Sequence, residues 1–210
     1  MKHLIIIGAG NIGKITCEYA RLSKDFNVNW EIRGFLDFAG KEIREDKNYP
    51  AVIGTLEDYV PQADDLFICS FASVEEREKS VKIIEGKNGQ FINIIHPSAN
   101  ICQTARIGTG NLIGAFTTVS VHANIGNHVI IQDHCNIGHD SVIGDFAHLY
   151  VGNIVCGINQ IGRRATLYTG STVYPKIKIG AQATVGAGSV VMRAVKENTT
   201  VFGNPAKKID

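Results

Sequence analysis

The sequence has no apolar run long enough to span a membrane, and it has almost no net charge. A spanning helix needs about 20 consecutive apolar residues, whereas the apolar opening MKHLIIIGAG is interrupted by glycine well before that length. The same opening is too short for a secretory signal peptide. A formal net charge of +1 over 210 residues gives no reason to expect nucleic acid as a partner. We therefore expect a cytoplasmic protein that binds neither membranes nor nucleic acids.

Cysteine is scarce, and its spacing matches no known pairing pattern. The five cysteines, at positions 17, 69, 102, 135 and 156, are odd in number, lie within apolar stretches and show no CxxC spacing. Disulfides are rare in the cytoplasm, so we expect reduced thiols. None of the five has the setting of a catalytic nucleophile.

Positive charge is unevenly distributed along the chain. Residues 98–210 carry nine basic and five acidic side chains, and eight of these nine basic residues lie at or after Arg163. This C-terminal basic zone is either an ordinary solvated surface or a place where an anionic ligand binds.

The N-terminal part of the chain alternates strand and helix patterns. Four short apolar runs predict strands, at 3–7, 31–37, 65–70 and 90–95. A helical pattern follows the first run, and Ser73 with Glu76 forms a capping box that opens a second helix ending near Gly86. Such alternation predicts a parallel sheet with helical crossovers. We expect a small Rossmann-like α/β domain over residues 1–97, which His96-Pro97 closes.

A glycine-rich motif joins the first predicted strand to the first predicted helix. In GAGNIG, residues 8–13, the glycines allow a tight turn, and the helix N-terminus offers free amides to a phosphate. Asp37 lies 24 residues beyond Gly13, at the end of the second strand, where a carboxylate accepts hydrogen bonds from a ribose or base. The domain has room for one mononucleotide-binding half and not two, which argues against a dehydrogenase. A glycine turn needed only for packing is the alternative.

From Ile101 the pattern changes to a repeat of six residues. Sixteen consecutive hexads begin with an aliphatic residue, at 101, 107, 113, 119, 125, 131, 137, 143, 149, 155, 161, 167, 173, 179, 185 and 191. The residue four places later is mostly small, as a tight interior requires. A period of six fits a parallel β-helix whose flat walls turn a corner at every hexad. Three walls make a coil of 18 residues, so we expect about five coils over residues 98–210.

Three features resemble the left-handed β-helix acyltransferases: the hexads, the stretch NIIHPSA (93–99) and the ending GNPAKKI (203–209). With the small nucleotide-binding domain in front, nearly the whole chain is similar to bacterial sugar acetyltransferases of the PglD and NeuD type. The resemblance implies a left-handed β-helix that carries an acetyltransferase site. It also implies a homotrimer in which substrate lies between neighbouring β-helices.

The resemblance implies that the first domain binds a nucleotide-linked sugar. Carried over residue by residue, the ligand contacts fall on Gly10, Asn11, Ile12, Asp37 and the loop near Ser73.

The chain departs from the family pattern in this domain. Relatives often carry Gly-His-Gly where this chain has residues 11–13, a second Asp where it has Phe38, and Gly-Asn where it has Phe71-Ala72.

Histidines concentrate in the β-helix between residues 122 and 148. His139 and Asp140 are neighbours, and because positions 18 apart stack on successive coils, His122 is expected directly below Asp140 and within hydrogen-bonding reach of it. His134 and His139 have the spacing of two zinc ligands in β-helix carbonic anhydrases, but the third ligand would be position 98, which is serine. We therefore expect no metal. Histidines that are purely structural are a further alternative.

The interpretation that we favour is acetyl transfer with His139 as general base. Histidine titrates near neutral pH, and Asp140 beside it would stabilise the imidazolium and fix the orientation of the ring. The amide of Gly157 or Gly152 is a candidate to hold the thioester oxyanion. The resemblance implies that His148, Thr169 and Ala187 contact acetyl-coenzyme A.

The predicted reaction is N-acetylation of a nucleotide-linked amino sugar, a UDP- or dTDP-4-amino-4,6-dideoxyhexose, with acetyl-coenzyme A as co-substrate, for surface glycan synthesis. The alternatives are a sugar O-acetyltransferase of the sialic acid type and a nucleotide-sugar sensor with an inactive site. The glycine motif with Asp37 favours a nucleotide-linked substrate, and the His139-Asp140 pair argues against an inactive site.

Overall fold

The chain forms two compact units, Met1–Pro97 and Ser98–Asp210. The computed structural model describes residues 1–39 and 46–209. In this part of the chain, neither helix has the length and apolar character that crossing a membrane requires.

The first unit contains a parallel sheet and two helices. Strands and helices are numbered separately in chain order: β1 Lys2–Ile7, α1 Asn11–Arg21, β2 Trp30–Asp37, β3 Val52–Thr55, β4 Asp65–Cys69, α2 Val74–Gly86, β5 Gln90–Phe91 and β6 Ile94–Ile95. Five of the strands form one sheet in the order β3-β2-β1-β4-β5, and all neighbours are parallel. The Rossmann-like sheet that the sequence predicts is therefore confirmed.

Local sequence explains where these elements begin and end. The run Leu4–Ile7 is fully buried at the centre of the sheet, as an uninterrupted apolar strand of a parallel sheet must be. Helix α2 begins as the capping box predicts, since the Ser73 hydroxyl accepts a hydrogen bond of 3.2 Å from the amide of Glu76. Strand β3 was not among the predicted strands. It lies at the sheet edge, and Val52 and Ile53 are exposed.

The second unit is a β-helix with three walls of strands that are two or three residues long. Wall 1 contains β7 Asn100–Ile101, β10 Thr118–Val119, β13 Asn136–Ile137, β16 Ile154–Val155, β19 Thr172–Val173 and β22 Val190–Val191. Wall 2 contains β8 Arg106–Ile107, β11 Asn124–Ile125, β14 Val142–Ile143, β17 Gln160–Ile161 and β20 Lys178–Ile179. Wall 3 contains β9 Leu112–Ile113, β12 Ile130–Ile131, β15 His148–Leu149, β18 Thr166–Leu167, β21 Thr184–Val185, β23 Thr200–Phe202 and β24 Lys207–Lys208.

The coil length is 18 residues, as the hexads predict. Thr118 pairs with Asn136, and Asn136 pairs with Ile154, each step being one coil. The aliphatic residue of each hexad points inward and stacks on its equivalents, and most of these side chains are fully buried. The small residues four places later fill the rest of the interior. Removing one inward side chain, for example by Ile137→Ala, would cost about 2–5 kcal/mol.

The corners between the walls use the left-handed backbone region. The fourth residue of nearly every hexad has a positive φ, and ten of these residues are not glycine: Phe116, His122, His128, His134, Asp140, Phe146, Ile158, Arg164, Lys176 and Gln182. A non-glycine residue in this region is uncommon. The turn therefore fixes the direction of the side chain at each of these corners.

Candidate active site

His139 and Asp140 occupy the corner between wall 1 and wall 2. The His139 Nδ1 lies 2.7 Å from the Asp140 Oδ2. Backbone hydrogen bonds hold this corner to its neighbours, because the Asp140 amide donates to Val121 (3.1 Å) and the His139 carbonyl accepts from Ile158 (2.8 Å). With Nδ1 donating to the carboxylate, Nε2 keeps a lone pair that can accept a proton.

Glycine at position 157 makes room for the imidazole on the next coil. A Cβ added there would lie 2.7 Å from Cε1 and 2.8 Å from Cδ2 of His139, and closer still to Nε2. The Gly157 backbone therefore lies close to the atom that would act as base. In the described part of the chain this amide donates to no acceptor, whereas the Gly152 amide is taken by Asp133 at 2.9 Å. Of the two candidate oxyanion donors, only Gly157 is therefore open to a ligand.

Stability does not explain the His139-Asp140 pair. The two side chains are 55% and 52% exposed, and ion pairs at such positions contribute about 0–1 kcal/mol. A solvent-facing imidazole that is held by a carboxylate, with its other nitrogen beside an open amide, is instead an arrangement suited to general base catalysis.

The other histidines of this region separate into different environments. The prediction that His122 binds Asp140 is wrong: within the described residues no hydrogen bond joins them, and the His122 amide donates to Thr104 Oγ1 at 3.1 Å. His134 stacks on Phe116, with ring centroids 5.2 Å apart. The buried His128 stacks in the same way on the residue one coil later, at 5.1 Å. These two rings serve packing between coils.

No group of three or more His, Cys, Asp or Glu side chains that could hold a metal ion occurs in residues 1–39 and 46–209. Ser98, at the position where a third zinc ligand would lie, instead accepts a hydrogen bond of 3.0 Å from the amide of Phe116.

The residues assigned to acetyl-coenzyme A lie elsewhere on the β-helix. Thr169 and Ala187 are exposed and stacked on successive coils at the corner between wall 3 and wall 1, where the Gly188 amide donates to the Thr169 carbonyl. His148 lies on wall 3 itself and is fully buried. Its Nε2 is 3.1 Å from Gln132 Nε2, and its ring stacks on Tyr150. Within one chain these residues and His139 therefore lie at different places on the β-helix.

The predicted C-terminal basic zone is not a single patch. Arg163 and Arg164 lie at the corner between walls 2 and 3, Lys178 lies on wall 2, and Lys207 and Lys208 form β24 on wall 3. Sequence proximity misled the prediction, because residues six apart on a three-walled coil face different directions.

The buried thiols are unsuited to nucleophilic catalysis. Desolvation by burial raises the pKa of Cys69 to about 12 and the pKa of Cys135 to about 11, and it also raises the pKa of Cys17. At neutral pH these cysteines are protonated, and the thiolate is the reactive form.

The glycine motif of the first unit lies where a ligand of a doubly wound sheet binds. It follows β1, next to the residues that follow β4, so it is at the point where the strand order reverses. Gly10 caps α1 and offers no side-chain cap, with open space where a Cβ would be. Asn11 is exposed and Ile12 partly exposed at the first turn. At Gly13 any Cβ would collide with the carbonyl oxygen of Gly8, which shows that this glycine serves packing.

The carboxylate of Asp37 binds the backbone of the glycine loop. It ends β2 as expected, but its side chain is 2% exposed. Its Oδ2 accepts from the Ala9 amide at 2.9 Å, and its Oδ1 accepts from the Phe38 amide at 2.8 Å. Asp37 therefore holds the glycine loop, and its predicted contact with a ribose or base stays a prediction.

Two aromatic residues at the carboxyl ends of β2 and β4 were not among the predicted site residues. Phe38 and Phe71 stack on each other, with ring centroids 5.2 Å apart and planes 16° from parallel. The Lys79 ammonium lies 4.7 Å from the centroid of Phe38. The available signal was that both phenylalanines depart from the family pattern, which has an aspartate in place of Phe38 and a glycine in place of Phe71.

The whole chain is similar in structure to a set of solved proteins. By sequence, neither a protein-family model nor a curated protein matches it. By structure, it is similar to a histidine-to-asparagine variant of perosamine N-acetyltransferase from Caulobacter crescentus, in complex with coenzyme A and GDP-perosamine. The identity is 26%, the TM-score is 0.90, and the match covers 100% of this chain and 98% of the other.

Two further structures match over both full lengths. WeeI from Acinetobacter baumannii AYE is 25% identical with a TM-score of 0.88. The acetyltransferase domain of PglB from Neisseria gonorrhoeae FA1090 is 24% identical with a TM-score of 0.89, a likeness of fold. The fold is thus that of a left-handed β-helix acyltransferase with a Rossmann-like unit in front. The resemblance to sugar acetyltransferases of the PglD and NeuD type is confirmed.

Proposed function

We propose that this protein transfers the acetyl group of acetyl-coenzyme A to the amino group of a nucleotide-linked amino sugar, with His139 as the general base. The observation that carries the proposal is the exposed His139-Asp140 pair beside the open amide of Gly157, on a chain that matches a perosamine N-acetyltransferase over its full length. The prediction of an acetyl-coenzyme A-dependent sugar N-acetyltransferase is confirmed by this likeness.

The geometry supports direct transfer without an acyl-enzyme. The amine attacks the thioester carbonyl while His139 Nε2 accepts the proton that the amine loses, and the Gly157 amide donates to the oxygen that becomes negative. The new amide bond replaces the thioester bond, and the imidazolium returns its proton to the departing thiolate. Asp140 holds the ring on its Nδ1 side throughout.

A single chain does not bring the proposed base and the proposed coenzyme contacts together. His139 lies at the corner between walls 1 and 2, whereas Thr169 and Ala187 lie at the corner between walls 3 and 1. The site would be complete if the corner between walls 3 and 1 of a second copy met the corner between walls 1 and 2 of this chain. Three copies that pack in this way close a ring. Wall 1 and its following corner expose Ile154, Tyr174 and Met192, which such packing would cover. We therefore propose a homotrimer with wall 1 towards the axis.

In this proposal coenzyme A lies along the corner between walls 3 and 1. Val151, Tyr168 and Phe202 expose apolar side chains near Thr169 and Ala187, as a narrow groove for the pantetheine arm requires. Lys207 and Lys208 on the adjoining wall provide cations for the phosphates.

The first unit, residues 1–97, would bind the nucleotide part of the substrate at Gly10, Asn11, Ile12 and the loop that ends at Ser73. The sequence favoured UDP or dTDP as the nucleotide. The solved C. crescentus enzyme holds GDP-perosamine, so GDP is the second candidate. A 4-amino-4,6-dideoxyhexose as the sugar suits either nucleotide, and surface glycan synthesis remains the proposed pathway.

The deciding experiment is acetyl transfer to purified amino and hydroxyl acceptors. We expect release of coenzyme A with a nucleotide-linked amino sugar, and a loss of roughly 10²–10⁴-fold in kcat for His139→Ala with unchanged binding of the sugar nucleotide. Gln182→Ala is the control, because this exposed residue lies at the corner between walls 2 and 3, away from His139 and from the proposed coenzyme groove. If the His139 variant turns over at a near-normal rate, His139 is not the general base. Acetylation of a free sialic acid instead of the amino sugar would establish the O-acetyltransferase alternative.

A further inference from the structure

The carboxyl edge of the first unit's sheet carries an aromatic surface in place of a polar one. Asp37 is the carboxylate at this edge, but it is buried, and its two oxygens accept hydrogen bonds from the amides of Ala9 and Phe38. The next side chain along the chain, Phe38, is partly exposed and stands beside this edge. A flat ring therefore faces the position where a polar contact was expected.

The neighbours of Phe38 hold it in place. Phe71 is buried and stacks on it at 5.2 Å. The Phe71 ring in turn lies against Gly8, where an added Cβ would meet it at 3.2 Å. The carbonyl of Phe71 accepts a hydrogen bond of 2.8 Å from Nη1 of Arg77, whose side chain is fully buried. The aromatic pair is thus anchored between the glycine loop and α2.

Lys79 shows that a flat, electron-rich face is accessible from solvent. Its ammonium lies 4.7 Å from the Phe38 centroid, and the residue is exposed. An exposed contact between a cation and a ring is weaker than stacking of a nucleobase on the same ring. A base can therefore take the place of this ammonium, which is then available to the negative charge of a nucleoside diphosphate.

We propose that Phe38, backed by Phe71, is the platform on which the nucleobase of the substrate stacks, and that this platform selects purine over pyrimidine nucleotides. The inference rests on the proposed function, since it names the base of the same substrate. A purine presents two fused rings to the platform and a pyrimidine presents one, so the gain from stacking is larger for GDP. Because Asp37 is buried against the glycine loop, we assign the selectivity to stacking.

The test is binding of GDP, UDP, dTDP and inorganic pyrophosphate to the full chain by isothermal titration calorimetry. Phe38→Leu keeps apolar volume against Phe71 and removes the aromatic face, whereas Phe38→Tyr keeps that face. We expect wild type to bind GDP more tightly than UDP or dTDP. Phe38→Leu should lose roughly tenfold to hundredfold in GDP affinity and have little remaining selectivity, while Phe38→Tyr stays within about threefold of wild type.

The controls separate this inference from the proposed function. Pyrophosphate affinity should be the same in wild type and Phe38→Leu, because it has no base, and acetyl-coenzyme A binding should be unchanged in both variants. If nucleotides bind but Phe38→Leu keeps the wild-type preference, or if UDP binds as tightly as GDP to wild type, the platform is wrong and the proposed function stands. If no nucleoside diphosphate binds wild type, the nucleotide-linked substrate itself is wrong.

Discussion

Replacing Gly157 with alanine tests whether the position of the His139 ring matters for catalysis. The added Cβ would lie 2.7 Å from Cε1 of the imidazole and closer to Nε2, whereas ordinary contacts begin near 3.4 Å. The ring must therefore move away by roughly 1 Å. The atoms that the methyl group meets are the far end of one exposed side chain, so the backbone has no reason to shift. The amide at position 157 is retained, which isolates the imidazole as the perturbed group.

The expected effect is large on turnover and small on stability. A misplacement of about 1 Å costs around 10²-fold in rate when the group acts in the chemical step. We expect kcat for acetyl transfer to fall by roughly that factor, with the affinity for the sugar nucleotide unchanged. The free energy of unfolding, from urea denaturation, should change by less than about 1 kcal/mol.

Gly162→Ala is the matched contrast within the same β-helix. Its added Cβ would meet backbone atoms of the next coil, including the Ala181 amide nitrogen at 2.5 Å. We expect this variant to lose about 1–3 kcal/mol of stability through overpacking. If Gly157→Ala keeps wild-type turnover while its fold is intact, the imidazole does not act at this position, and the reasoning from the close approach of Gly157 fails.

Four further predictions concern Asp140, the assembly and the buried thiols. Asp140→Asn keeps a side chain that tolerates the left-handed backbone and can still accept from the ring. Its kcat should therefore fall less than that of the histidine variant, and an equal loss would show that the charge is essential. Light scattering should report about three chains per particle, and a monodisperse monomer would contradict the shared site. A thiol reagent at pH 8 should label Cys102 and Cys156 before Cys69 and Cys135, whose raised pKa values of about 12 and 11 leave them protonated. Because unfolded thiols ionise near pH 8.5, the stability contributed by these two buried thiols is complete below that pH. It should decrease as pH rises towards 11, which urea midpoints at pH 8 and pH 10 would reveal.

The hexads predicted the β-helix well because they report the inward side chains directly. Ile137 and Ile143 are buried because the period of six places them towards the axis, whatever the chemistry at the corners. Strand β3 escaped prediction for the opposite reason. Its Val52 and Ile53 are exposed at an edge, so neither alternation nor an uninterrupted apolar run marks it.

The sequence predicted those contacts of the candidate site that follow from adjacency along the chain. It did not predict contacts that depend on the direction of a side chain. His139 and Asp140 are adjacent, so their hydrogen bond needs only a local turn. For His122 the register was correct, but register does not fix where a ring points. The carboxylate of Asp37 could turn outward to a ligand or inward to the Ala9 amide, and only the path of the loop decides between them.

The pairing of Phe38 with Phe71 shows a different limit. The two residues are 33 positions apart, and they meet because β2 and β4 flank β1 in the sheet. Nothing in the local pattern of either stretch indicates that order. Contacts of this kind become visible only when the topology is known.

The 18-residue coil also sets the spacing of residues along the β-helix axis, and this limits which insertions and deletions the chain can accept in evolution. Thirty residues separate His139 from Thr169, and in the proposed trimer their difference in height along the axis is the same between subunits as within one. An insertion of one or two residues between His139 and Thr169 would shift the register, so that the inward-facing side chains of every later hexad would no longer point into the core. A whole added coil would keep the core but move Thr169 by one strand spacing, about 4.8 Å, from its partner. The length of the segment between His139 and Thr169 is therefore fixed by the proposed site.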